Sequence, residues 1–305
     1  MSSELTRRVV FGVIAAPIAI AIVVYGGAPL AALLAVASAV AAWELFRLAR
    51  ATGLTPFDDI GIAAAGLIPL VVHARFLRLY DPDRSIGPVS LAVVCLLVLL
   101  AISIWARGPS GKPLGSVAST AFGVAYTGGT LSYAYAVRYH DYAFAPAALT
   151  LGGGTLAVAS GGLLLVLPIL LTWATDTGAY AFGRTFGRHK LIPSVSPGKT
   201  VEGAIGGLAT SMLIAWLYTR FVLHPATSLD FRWRPAGVLL FGALISIAAQ
   251  IGDLAESLLK REAGMKDSST LIPGTGGVLD RIDSLLFVMP VAYVVLGWLL
   301  TWAPT

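Results

Sequence analysis

Asp253, Glu256, Ser257 and Lys260 stand at i, i+3, i+4 and i+7. A helix over Leu244–Arg261 would therefore carry two carboxylates, a hydroxyl and an ammonium on one stripe. Such a stripe could hold a divalent cation and meet a phosphate. Beyond it come Arg261, Lys266 and Asp267, a turn-rich run with Pro273, Gly274, Gly276 and Gly277, and then Asp280, Arg281 and Asp283. Glycines let a backbone approach a ligand closely, and carboxylates suit the N-terminus of the helix that the last apolar run would begin. Carboxylates on two elements, joined by a basic, glycine-rich loop, fit a site for Mg2+ and polyphosphate. The turn from Ser268 to Gly277 lets the chain reverse, so Asp253 and Asp280 are expected to share one cation, without which the two carboxylates would repel. A solvated loop between two spans is the competing explanation. Either way the concentration needs a reason, because ten charged residues fall within the 34 from Gln250 to Asp283 in a chain only 12% charged.

A second polar group lies upstream. Asp176 sits in an otherwise apolar run; facing lipid, it would cost several kcal/mol, so it is expected to face a protein interior or a wet cavity. A structural Asp bonded to Thr172 or to a neighbouring span is the alternative. The loop after it holds Arg184, Arg188, His189, Lys190 and Lys199. Ser196, Pro197, Gly198 and Lys199 make a turn that can aim backbone amides at a phosphate from the start of the next helix. A full GxxxxGK[ST] phosphate loop is not present, since its first glycine is missing.

The elements that must position these groups are membrane spans. The chain is 57% hydrophobic, with a mean hydropathy of +0.81, and has repeated apolar runs near the ~20 residues that cross a bilayer. The expected fold is all-α and polytopic, with nine spans near residues 9–26, 28–46, 60–77, 86–106, 117–138, 161–183, 201–223, 236–258 and 283–303. Residues 1–150 would hold five of them. Residues 151–305 would hold four, with two motif loops. The first run is read as a retained span, having a basic start but no small-residue cleavage site. Of 21 Lys and Arg, 14 fall on the N-terminal side of the membrane and 7 on the other. Positive-inside bias then puts the N-terminus and both motif loops in the cytoplasm and the C-terminus outside.

The remaining features are quieter. Glu44 is expected to pair with Arg47 one helical turn on. Gly128 and Gly129, beside Tyr126, Tyr133 and Tyr135, suggest close span packing, with a lipid groove as the alternative. His73, His140, His189 and His224 have no metal-ligand spacing. The single cysteine, Cys95, excludes an internal disulfide. A net charge of +5 suits anionic lipid headgroups, and no nucleic-acid motif accompanies it.

Taken together, these residues resemble the CTP-dependent phosphatidate cytidylyltransferases, or CDP-diacylglycerol synthases. The family's C-terminal signature is matched by Ser257, Lys260, Arg261, Lys266, Asp267, Pro273, Gly276, Gly277, Asp280, Arg281 and Asp283. The upstream runs TDTGAYAFGRTFGRHKL and SPGKTVEG are similar to its second block. The likeness is dense over residues 170–283, and earlier only TRRV and AAWELFRL share it. Thr275 stands where the family usually has histidine, so it receives no role. The resemblance implies that CTP and phosphatidate give CDP-diacylglycerol and pyrophosphate at a cell membrane, with the enzyme as a homodimer. Asp253 and Asp280 would hold Mg2+, with Asp283 and Glu256 as further ligands and a second cation nearby. Lys260, Arg261 and Lys266 would bind phosphates, aided by Arg281, and Asp176, Lys199, Ser257, Gly276 and Gly277 would line the substrate. A CTP-dependent lipid kinase and an ion-coupled transporter using Asp176, Asp253 and Asp280 are the rival readings.

Overall fold

The computed structural model describes residues 17–77, 87–140, 148–151, 154–157, 160–272 and 276–302. The helices are α1 (residues 17–25), α2 (Gly27–Ala51), α3 (Asp58–Phe76), α4 (Pro88–Ala106), α5 (Pro113–Val124), α6 (Tyr133–Arg138), α7 (Ser160–Phe186), α8 (Val201–Tyr218), α9 (His224–Ala226), α10 (Ala236–Glu262) and α11 (Leu279–Leu299). Three small antiparallel sheets accompany them: β1 (Ala148–Leu151) with β2 (Gly154–Ala157), β3 (Lys190–Ile192) with β4 (Ser196–Thr200), and β5 (Leu229–Phe231) with β6 (Leu300–Trp302). The expected helical membrane class is present, but the sheets stand mostly where the sequence suggests plain loops, and β6 falls inside the expected ninth span.

Among the described residues, seven helices are long and apolar enough to cross a membrane: α2, α3, α4, α7, α8 extended to Ala226, α10 and α11. Nine spans are expected from hydropathy, and the two differences have separate causes. Residues 9–16 of the first expected span, like Arg7 and Arg8 before it, lie outside the described residues, and α1 covers most of the rest. The fifth, over 117–138, is interrupted. There α5 passes into a π turn at Ala125–Gly129 and the helix breaks at Ser132 before α6. Side chains compete for the backbone along this stretch, with Thr127 donating to the Gly123 carbonyl at 2.8 Å, Thr130 to Tyr126 at 2.5 Å and Ser132 to Gly129 at 2.7 Å, as hydroxyls in helices do.

The chain forms two compact units. One comprises Gly27–Tyr135 and Leu259–Arg281, and the other Ala136–Leu258 and Ile282–Thr305 together with α1. In the first, Phe46 of α2 fills the space left by Gly61 of α3 and Gly123 of α5, where any Cβ would overlap its ring. Ala42 and Ala65 complete that core. Gly128 meets the Ala65 backbone at van der Waals limit, so the close packing expected of that glycine is present.

In the second unit, glycines set the spacing of α7 and α8. A Cβ on Gly203 would lie 2.8 Å from the Ala179 carbonyl, and one on Gly207 the same distance from Thr175. This is the small-xxx-small contact of membrane helices, which lets two backbones touch. Tyr218 ties α8 to α7 by donating to the Leu163 carbonyl at 2.9 Å, and Ser211 ties it to α10 through Gly242 at 2.9 Å. Arg138, only 4% exposed, donates to the carbonyls of Val23 and Val24 at 3.3 and 2.9 Å, so a buried cation closes the C-terminal end of α1. Gly207→Ala should force α7 and α8 apart and lower stability by about 1–3 kcal/mol, the usual cost of overpacking. Thermal melts in detergent would check this, and an unchanged midpoint would mean the helices yield freely.

Candidate active site

Two ion pairs join four of the residues singled out above, Lys199 with Asp253 and Lys260 with Asp280. In the second unit, the β3–β4 hairpin delivers Lys199 to Asp253. Lys190 donates to the Pro197 carbonyl at 2.8 Å, which braces one strand of the hairpin against the other. The Arg188 and His189 amides and the His189 ring converge on Glu202, the ring at 2.6 Å. Thr200 then caps α8 by accepting from the Gly203 amide at 3.1 Å, as hydroxyl residues at that position do. Held from both ends, Lys199 places its ammonium 2.9 Å from Asp253 Oδ2. Ser257, one turn along α10, donates to Asp253 Oδ1 at 3.3 Å.

Asp176 of α7 is exposed on this unit and lies within electrostatic reach of both Asp253 and Lys199. Thr172 donates its hydroxyl proton to the Pro168 carbonyl at 2.8 Å, so it is not the donor that a structural Asp176 would use. Gly252 fixes the depth of the site. A Cβ there would lie 2.8 Å from the Asp283 carbonyl and 2.9 Å from Ser284 Cα, so α10 and α11 touch beside Asp253. Asp283 accepts from the Ser284 amide at 2.6 Å. Glu256 has no exposed surface, a position suited to supporting α10 rather than to facing a substrate.

In the first unit, Lys260 and Asp280 form the second pair, at 2.7 Å and with side chains only 12% and 7% exposed. Asp280 Oδ2 accepts three further bonds, from the Ser268 amide at 2.9 Å, the Ser268 hydroxyl at 2.7 Å and the Gly277 amide at 2.7 Å. A carboxylate so placed at the start of α11 also answers the helix's unpaired amides and dipole. Gly276 takes φ +87°, and a Cβ there would lie 2.6 Å from Asp280 Oδ2, so glycine is required on both counts. Arg261, Lys266 and Arg281 are exposed. Pro273, Gly274 and Thr275 lie outside the described residues.

Among the described residues no three Asp, Glu, His or Cys side chains are grouped as a metal cage. That does not argue against Mg2+, which commonly takes one or two carboxylates and completes its shell with phosphate oxygens and water. Asp176 and Asp253, two hard oxygen donors beside one lysine, are of that kind.

A cytidylyltransferase family model matches residues 6–299. The chain belongs to the cytidylyltransferase family. It is 32% identical to a phosphatidate cytidylyltransferase of Synechocystis, over 94% of this chain and 95% of that one. To the Bacillus subtilis protein of the same name it is 29% identical, over 96% and 98%. To that of Haemophilus influenzae it is 49% identical across 130 residues, 43% of this chain and 44% of the other.

Sequence reasoning missed one component of this cytidylyltransferase. Glu44 of α2 does not serve Arg47, whose guanidinium donates to the Ser268 carbonyl at 3.1 Å. Instead, with no exposed surface, its carboxylate accepts from the hydroxyls of Ser268 and Ser269 at 3.2 and 2.5 Å and from the amides of Val278 and Leu279 at 3.0 and 2.6 Å. An acidic residue in the apolar run AAWELF was the available signal, because a carboxylate in a span needs a specific reason.

Proposed function

We propose that this cytidylyltransferase transfers CMP from CTP to phosphatidate at the cytoplasmic face of the membrane, releasing pyrophosphate. The match to phosphatidate cytidylyltransferases across nearly the whole chain carries the reading, and the polar groups suit the chemistry. Phosphatidate already bears a nucleophilic phosphate. One of its oxygens forms a bond to the α-phosphorus of CTP while the α–β anhydride bond breaks, and the electron pair leaves on pyrophosphate. No strong base is required, so the site must orient the reactants in line and offset charge.

Lys199, delivered by the hairpin, supplies a cationic donor for phosphate oxygens in the second unit, and the exposed Arg261, Lys266 and Arg281 supply such donors in the first. Lys260 holds Asp280 in place at the N-terminus of α11. Mg2+, held by Asp253 with Asp176 beside it, would neutralise the triphosphate and polarise the reacting phosphorus. Acyl chains stay in the bilayer, among nine spans if α1 and the interrupted α5–α6 segment also cross. The 14 to 7 division of Lys and Arg supports a cytoplasmic site.

One experiment tests chemistry and sidedness together. Inverted membrane vesicles containing the protein, given phosphatidate, Mg2+ and external CTP, should yield a cytidine-bearing lipid and pyrophosphate in equal amounts. Right-side-out vesicles should not. Release of CDP in place of pyrophosphate would make the protein a lipid kinase, and equal activity in both vesicle types would reject the orientation.

A further inference from the structure

The geometry points to Glu44, on α2, as the positioning residue of the Lys260–Asp280 pair. The inference rests on the cytidylyltransferase reading above and adds to it a residue outside the C-terminal signature. Three observations carry it.

The first is the donor set. Glu44 Oε1 takes Ser269 Oγ and the Val278 amide, and Oε2 takes Ser268 Oγ and the Leu279 amide. These donors lie at both ends of the segment from Ser268 to Leu279, so one carboxylate holds the two ends together. Each oxygen receives a backbone N–H, which cannot reverse its polarity. Both carboxylate oxygens must therefore accept, which a side-chain amide cannot do.

The second is the link to the pair itself. Ser268 Oγ lies 3.2 Å from Glu44 Oε2 and 2.7 Å from Asp280 Oδ2. Its amide also reaches Asp280, at 2.9 Å. Ser268 thus stands between Glu44 and the carboxylate that Lys260 meets at 2.7 Å. A displacement of Glu44 is passed to Asp280 through one side chain.

The third explains a glycine. A Cβ on Gly277 would run into Glu44 Oε1 and Ser268 Oγ. Gly276 is required by its own φ and by Asp280, whereas Gly277 is required by a carboxylate from α2. The second glycine of the signature and Glu44 therefore form one interlocked feature.

Glu44→Gln is the direct test, because it keeps shape while turning an NH2 group toward a backbone N–H whichever way the amide is flipped. Pyrophosphate release should fall about 10²-fold, the size expected when a reacting group is misplaced by about an ångström. The measurement is kcat per folded protein, made well below the melting midpoint, with the KM values for CTP and phosphatidate alongside. Loss should appear in kcat with both KM values near wild type. If Glu44→Gln does not fold, Ser268→Ala provides the second arm, since it removes the hydroxyl shared by Glu44 and Asp280 while the Val278 and Leu279 amides still hold Glu44 and the backbone amide at that position still reaches Asp280. Ser268→Ala should also lower kcat, and where both variants fold the double variant should be little worse than the worse single, as expected of residues acting as a unit. A role confined to stability would lower the melting midpoint and leave kcat of the folded fraction unchanged in both variants. That result would overturn the assignment. Wild type run in parallel separates the two ideas: if it releases no pyrophosphate from CTP and phosphatidate, it is the reaction that is wrong.

Discussion

Lys260→Met should abolish turnover and remove about 3–5 kcal/mol of stability, the usual result of stripping one partner from a buried ion pair. Methionine fills the space of the lysine stem but brings no charge. Asp280, only 7% exposed, would keep its bonds from Ser268 and Gly277, all of them on Oδ2. Oδ1 would lose the ammonium 2.7 Å away. A buried carboxylate that loses its ammonium is costly because less of its desolvation is offset. Lys260→Arg restores the charge but offers a planar fork in place of a compact ammonium, so it should recover more of the stability than of the activity. Thermal melts in detergent and pyrophosphate release on the same samples would check both. A Lys260→Met protein that melts with wild type would show that the pair contributes little to the fold.

Asp253→Asn should give the opposite pattern, with turnover reduced by about 10²–10³-fold, as when one charge-stabilising group is removed from a transition state, and with little change in melting. The physical difference is exposure. Lys199 and Asp253 retain 26% and 36% of their side-chain surface, and ion pairs that open are worth only about 0–1 kcal/mol. Asparagine keeps the shape and can still accept from Ser257, so α10 has no reason to shift. What is lost is a negative charge beside Lys199 and Asp176, and with it a hard ligand for Mg2+. Half-saturation should therefore move to higher Mg2+. Turnover and Mg2+ dependence equal to wild type would remove Asp253 from the site.

The contrast between these pairs marks what the sequence could and could not reveal. The helix carrying Asp253, Ser257 and Lys260 was legible because a 3.6-residue period is a local property, and α10 runs from Ala236 to Glu262. The roles of its charges were legible only in outline. Lys260 reads as a phosphate ligand and Asp280 as a metal ligand when each is considered alone, yet in the fold they neutralise one another. Glu44 was assigned to Arg47 because only neighbours within a turn are visible in a sequence, whereas its four donors lie more than 220 positions away. Hydropathy likewise marked 117–138 as one span, since it sums apolar character and is blind to Thr127, Thr130 and Ser132 drawing carbonyls out of register. The β3–β4 hairpin escaped notice because KLI and SPGKT are too short to show a period.

The reach of Glu44 also sets a schedule. The 224 to 235 residues between it and its donors take on the order of 10–50 s to synthesise at roughly 5–20 residues per second. Throughout that interval α2 must reside in the membrane with a carboxylate whose eventual partners do not yet exist. A charged residue in such a helix resists insertion, so the nascent span should sit shallow, with Glu44 hydrated, until the last segment arrives and draws it in. A chain terminated before Ser268 never completes that step. Its second helix should remain loosely inserted, and such a fragment is the form a membrane protease would meet first.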